Sequence, residues 1–162
     1  MVFLVLLAPP LVAAAIAFVV SARGDRGVVA TGRAAAALSL LPLGAALALW
    51  RANAAGEVPT IAGGFLRADA LSTLLAFCVA FVAVLAAWVG PGLWGREDLV
   101  PAQARRFVAF SNLFTFTMLF AVTVNNVGLM WVAIEATTIV SAVLLPLRLT
   151  KSSVEASWKY IL

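Results

Sequence analysis

Histidine is absent from the 162 residues, and cysteine occurs once, as Cys78. Those two shortages exclude several kinds of chemistry. A single cysteine makes no disulfide within the chain, and a single thiolate is not a zinc or iron–sulfur site. Without histidine there is no His-based metal site and no Ser–His or Cys–His nucleophile pair. Charge is scarce as well: Asp, Glu, Lys and Arg together make 11% of the residues, against 64% from the apolar set. Soluble domains carry about 25% charged and about 45–50% apolar residues. A soluble fold of this size has too little interior to hide so much apolar surface, and disorder needs the opposite composition. A membrane protein remains.

The net charge of +4 does not point to nucleic acid. The Lys and Arg residues fall between apolar blocks instead of forming one stripe, which is where a membrane protein keeps its loop charges.

A bilayer core about 30 Å thick needs about 20 apolar residues per helix, and the chain divides on that scale. Spanning helices are expected over about 1–20, 34–50 (or from Val28 if the helix tilts across Arg33), 70–89, 107–124 and 127–147. A sixth begins over 152–162. Gly90-Pro91-Gly92 ends the third block, and only Asn125-Asn126 separates the fourth from the fifth. The first block lacks the basic flank of a signal peptide and is followed by further spans. Pro9, Pro10 and Pro42 lie inside apolar blocks, where a membrane bundle tolerates them as kinks. Trp50, Trp88 and Trp94 stand near the expected interfaces, as an aromatic belt would place them.

Loop charge sets the orientation. The loops after the first, third and fifth blocks hold Arg23, Arg26, Arg33, Arg96, Arg105, Arg106, Arg148 and Lys151; the alternate loops hold only Arg51 and Arg67. By the positive-inside rule the amino terminus faces out and the heavily charged loops face the cytoplasm. The expectation is an all-α, polytopic transmembrane bundle forming a single domain over 1–162, with five complete spans and an incomplete sixth. Eleven residues of helix reach about 16 Å, roughly half a bilayer, so the chain reads as a fragment of a longer one or as one completed by a partner.

Two ionisable groups lie deep in apolar helices. Glu135 stands eight residues into the fifth block, about 12 Å from its start, and Lys159 about 10 Å into the sixth. A charge at the bilayer centre costs about 2.5–3.5 kcal/mol on insertion scales, so each needs a partner, water or the bundle interior. Burial drives a carboxyl and an ammonium towards their neutral forms, and pairing restores the charges. A Glu–Lys couple that is made and broken can therefore move protons. One that is never broken merely fixes two helices together. Thr138, one turn from Glu135, is placed to hydrogen-bond the carboxyl, and Trp131 and Ala142 share that face. Glu155 stands one turn before Lys159, an order that supports an ion pair within the helix; it either competes with Glu135 for the lysine or rests at the interface. Asp69, before the third block, has the position of a helix N-cap. No catalytic, cofactor-binding or metal-ligating residue is expected.

The run NNVGLMWVAIEATTIVSAVLLPLRLTKSSVEASWKYIL, Asn125 to Leu162, resembles the antiporter-like membrane subunits shared by respiratory complex I, Mrp-type antiporters and membrane-bound hydrogenases. The WVAIEATT run, the short basic loop and EASWKY look most like hydrogenase-4 component F, and FLRADALSTLL is similar to the family's entry to its third helix. The resemblance implies a bundle of about fourteen helices in the prokaryotic cell membrane. Glu135 would then match the fifth-helix glutamate of a proton-translocating chain, and Lys159 a lysine of the sixth helix. It further implies membrane and peripheral partner subunits that carry the redox chemistry, with protons as cargo and no cofactor in this chain. Two alternatives stay open. One is an Mrp-like cation/proton antiporter subunit, which would need further intramembrane acids. The other is a non-transporting membrane scaffold.

Overall fold

The computed structural model describes residues 1–19, 24–94, 100–144 and 151–161. Those residues form six helices and one two-stranded hairpin: α1 (Val2–Val19), α2 (Gly24–Ala54), β1 (Thr60–Ile61), β2 (Leu66–Arg67), α3 (Ala70–Trp94), α4 (Pro101–Thr123), α5 (Val127–Leu144) and α6 (Lys151–Ile161). Helices α1 to α5 are each long and apolar enough to cross a membrane. The chain is an all-α membrane protein.

Three helices are longer than hydropathy alone suggests. α3 does not stop at Gly90-Pro91-Gly92 but continues through it to Trp94, as a proline inside a helix is tolerated in a membrane bundle. α2 begins at Gly24, ten residues before Ala34, so the segment 24–33 is helix and not loop; Arg26 and Arg33 ride on it. Its 31 residues span about 46 Å at 1.5 Å per residue, more than the hydrocarbon core, and the charged first turns project beyond the apolar run. α4 begins at Pro101 instead of Phe107. Proline at the first helical position surrenders no hydrogen bond, and the Val100 N–H donates to Gln103 Oε1 at 3.2 Å. Pro9, Pro10 and Pro42 lie inside continuous helices. α5 is described as far as Leu144 and α6 from Lys151, which is helical and not loop; Pro146 and Arg148 lie outside the described residues, as do Arg23, Arg96 and Leu162.

α2 and α4 pack against each other at the centre, with α1 and α3 on either side touching both; α5 lies on α4, and α6 lies on α5. The interior is built for close approach. Towards one end, Ala13, Ala17, Val28, Ala35, Ala104, Val108 and Ala109 form an alanine-rich cluster. Towards the other, Phe3, Leu6, Leu49 and Leu119 fill a larger one with Ala45, Ala46 and Ala76. Large apolar side chains such as Val82, Leu71, Trp88 and Ile139 are instead exposed. Small residues inside and bulky ones outside suit a bundle whose solvent is lipid, where packing and not water exclusion drives helix association.

The hairpin caps the end holding the larger cluster. Its strands pair Thr60 with Arg67 and Ile61 with Leu66. The turn between them has three consecutive left-handed residues, Ala62, Gly63 and Gly64, with φ of 54°, 67° and 91°. Glycine takes that conformation freely, whereas alanine pays about 1–2 kcal/mol. The hairpin then docks on the α4–α5 turn. Leu66 bridges Val124, the Asn125 N–H donates to the Phe65 carbonyl at 2.9 Å, and Asn125 Nδ2 donates to the Gly64 carbonyl at 2.9 Å.

Candidate functional site in helices five and six

The face of α5 turned to α4 is set by small and β-branched residues. Ala133 and Val140 are buried there. Thr137 Oγ1 is shared between Thr117 Oγ1 on α4, at 3.1 Å, and its own helix at the Ala133 carbonyl, at 2.8 Å. In hydrocarbon a hydroxyl needs such partners, and one that reaches across helices fixes their rotation.

Glu135 is two residues from both Ala133 and Thr137, about 200° round the helix from each. Its side chain therefore leaves α5 on the side opposite α4, and it is exposed. Trp131, one turn away on that face, is 63% exposed. Thr138 is half-buried and donates to the Ile134 carbonyl at 3.3 Å, within its own helix; it is near Glu135 in the helix but spends its proton on the backbone.

α6 covers the carboxy-terminal end of the same face of α5. Ala142 is seven residues beyond Glu135, almost directly below it, and is buried. Ser157 Oγ donates to its carbonyl at 2.6 Å. With the helices antiparallel and Ser157 level with Ala142, Lys159 comes level with Val140, about 7–8 Å along the axis from Glu135. Two residues past Ser157 is also about 200° of rotation, so Lys159 sets out from the side of α6 away from α5. There its Nζ lies 2.7 Å from Glu155 Oε1, with the lysine and glutamate side chains 72% and 64% exposed. The structure thus brings Lys159 to Glu155 and not to Glu135, and among the described residues Glu135 has no salt bridge.

Asp69 stands apart, at the hairpin end. Its Oδ1 accepts the Ser72 N–H at 2.9 Å, the N-cap bond of α3. That backbone hydrogen bond holds its carboxyl below the usual aspartate value; burial opposes it, and a side-chain bond from Ser72 and the charge of Arg67 add to the lowering. Asn53, near the end of α2, is a structural residue that hydropathy and motif spacing passed over. Its Nδ2 lies 3.0 Å from the Leu49 carbonyl, 3.1 Å from that of Ala68 and 2.9 Å from Thr73 Oγ1. The sequence carries one hint of it, an amide near the end of an apolar helix. The Thr117–Thr137 contact left even less trace, since two threonines among many in apolar runs have no distinctive spacing.

No protein-family model matches the chain, and no solved structure does. Among curated proteins, the hydrogenase-4 component F homolog of Methylacidiphilum infernorum (isolate V4) is 30% identical over 104 residues, which cover 62% of this chain and 22% of that protein. The chain therefore spans about a fifth of the relative it matches. A helical membrane protein with a glutamate in its fifth apolar helix, similar over most of its length to a hydrogenase-4 component F homolog, is consistent with the antiporter-like subunit family that its last quarter resembles.

Proposed function

We propose that this chain belongs to a proton-translocating membrane subunit of a hydrogenase-4 or NADH–quinone oxidoreductase-like complex in the cell membrane. Electron transfer takes place in partner subunits, and this chain supplies part of the proton path. The observation that carries the reading is Glu135, a carboxyl on the outward face of a membrane-spanning helix, directly above the point where α6 crosses. Exposure of that group to lipid would be costly, so the face is suited to cover by further helices or a partner subunit. Such cover makes a buried site in which a carboxyl takes up and releases a proton.

Lys159 is the second station. Its ammonium is held by Glu155, one turn away on the same helix, at 2.7 Å. In this scheme a change driven by the redox partners turns or shifts α6 against α5, Lys159 leaves Glu155 for Glu135, and the proton affinities of all three groups change with the pairing.

The test is proton pumping by membrane vesicles containing the whole complex, followed with a pH-sensitive dye during electron transfer. Glu135→Gln should abolish pumping while the complex still assembles. Full pumping by that variant would refute the relay.

A further inference from the structure

Two hydroxyls on the seam between α4 and α5 make a contact that neither needs for its own sake. Thr117, which is buried, donates to the Phe114 carbonyl at 2.8 Å, so its proton is satisfied within α4. Thr137 has the Ala133 carbonyl of its own helix at 2.8 Å and shares its proton with Thr117 Oγ1 at 3.1 Å. Valine, β-branched like threonine, would fill either place without a polar atom. What the bond across the seam adds is direction. We propose that Thr117 and Thr137 are positioning residues for Glu135, holding α5 on α4 as the fixed element of the relay while α6 moves.

The rest of the seam cannot supply that direction. Ala133 and Val140, one turn to either side of Thr137, are buried and wholly apolar. Small residues let two helices approach closely, and a hydrogen bond between them resists turning. Thr137 is two residues from Glu135, so a turn of α5 that breaks the bond swings the carboxyl through the same angle.

A second attachment holds the start of α5. Asn125 donates to the Phe65 and Gly64 carbonyls, both at 2.9 Å. The end of that hairpin is tied to α2 in turn, through Asn53 Nδ2 and the Ala68 carbonyl at 3.1 Å. Asn125 and Thr137 are about 18 Å apart along the chain at helical rise, and Glu135 lies between them. The bond from Ser157 of α6 to Ala142 falls beyond both. Glu135 is thus carried by the same body as α1 to α4, and Lys159 by the helix that shifts. The inference rests on the relay reading and specifies which of its two stations stands still.

The turn of α5 can be read in the whole complex, in a Cys78→Ala background, from rates of disulfide formation. Ala121 and Ala133 lie one turn from the two threonines, towards the same end, so Ala121→Cys with Ala133→Cys reports the native orientation. Ala121→Cys with Val132→Cys, or with Ile134→Cys, reports an α5 turned by one residue in either sense. Thr137→Val should raise the rate of a turned pair about threefold, and at most about twentyfold, by the strength of interhelical bonds in membranes. Thr117→Val should do the same, and the two together no more than one, because they remove a single bond. Thr137→Ser keeps the hydroxyl and should restore the native rate. In membrane vesicles, protons pumped per electron should fall in the valine variants and recover in Thr137→Ser. Assembly and electron transfer should continue, since neither valine strands a polar group. Unchanged turned-pair rates in Thr137→Val overturn the inference, and so do additive effects of the two valines. If Glu135→Gln stops pumping while Thr137→Val keeps the native ratio, the positioning role alone falls. If Glu135→Gln pumps fully, the relay falls, and the cross-linking rates still decide whether the threonines hold α5.

Discussion

Ser157 donates a 2.6 Å hydrogen bond to the backbone carbonyl of Ala142, and so locks the register of α6 against α5. Because Lys159 lies two residues further on and Glu135 seven residues back, this one bond sets both the distance and the rotation between the two candidate stations. Ser157→Ala should cost about 0.6 kcal/mol, and at most about 1.7, by the scale of interhelical bonds in membranes. Its more telling effect should be on coupling. Paired cysteines placed at 142 and 157 in a Cys78→Ala background should cross-link fully, whereas a cysteine at 142 paired with one at 161 should cross-link better once Ser157 is alanine.

Glu155→Gln releases Lys159 from its partner within α6. The pair joins two side chains of one helix and links no other element, so the complex should still assemble. Proton pumping should change, and differently from Glu135→Gln: altered in rate or pH dependence, not abolished. Identical losses in the two variants would argue that Lys159 does not exchange between the two carboxylates.

Asp69 caps α3, and its carboxyl is held below the ordinary value of 3.8 by the Ser72 N–H. A carboxyl whose folded pKa is depressed contributes its stability above the unfolded pKa, and that contribution is lost as the pH falls through the folded one. The cap therefore acts in full at neutral pH and fades only below about pH 4. Asp69→Ala should cost about 1 kcal/mol at pH 7, and the difference from the native protein should shrink in melts at pH 3. Asp69→Asn keeps an acceptor and should lose less.

Asn53 joins α2 to the start of α3 through the Ala68 carbonyl and Thr73. Asn53→Leu removes the donor and leaves a buried carbonyl and hydroxyl short of a partner, at about 1–3 kcal/mol. Limited proteolysis should then cut the segment 55–68 faster, with the helices otherwise intact.

The heavier loop charge on one side predicts that the hairpin faces outward and Arg105 inward. In a Cys78→Ala background, Glu57→Cys should react with an impermeant maleimide added outside intact cells, and Gln103→Cys should react only after permeabilisation. The reverse pattern inverts the proposed topology.

Hydropathy made the five spans legible because an 18-residue window of apolar residues has few other uses, and Asn125-Asn126 was legible as a turn because nothing longer separates two such windows. The start of α2 was hidden for the same reason: Asp25, Arg26 and Arg33 lower hydropathy without preventing helix, since a helix extends past the bilayer wherever water can solvate its charges. The hairpin left only turn-forming glycines as a signal, and its docking on Val124 and Asn125 is a tertiary contact with no local pattern. In the site, the i, i+4 spacing of Glu155 and Lys159 foretold their ion pair. The rotation of Lys159 away from α5 was not legible, because it depends on which face of α6 carries Ser157, and only packing decides that.

The clasp between Gly64 and Asn125 joins residues 61 apart in sequence. During synthesis the hairpin therefore emerges early and waits, unpaired on that side, while α3 and α4 are made and inserted. Non-local contacts of this kind repay their loop-closure cost only once both ends are present. The clasp thus acts as a checkpoint in time: the first four helices gain their last restraint only when the chain has turned the corner into α5, the helix that bears Glu135.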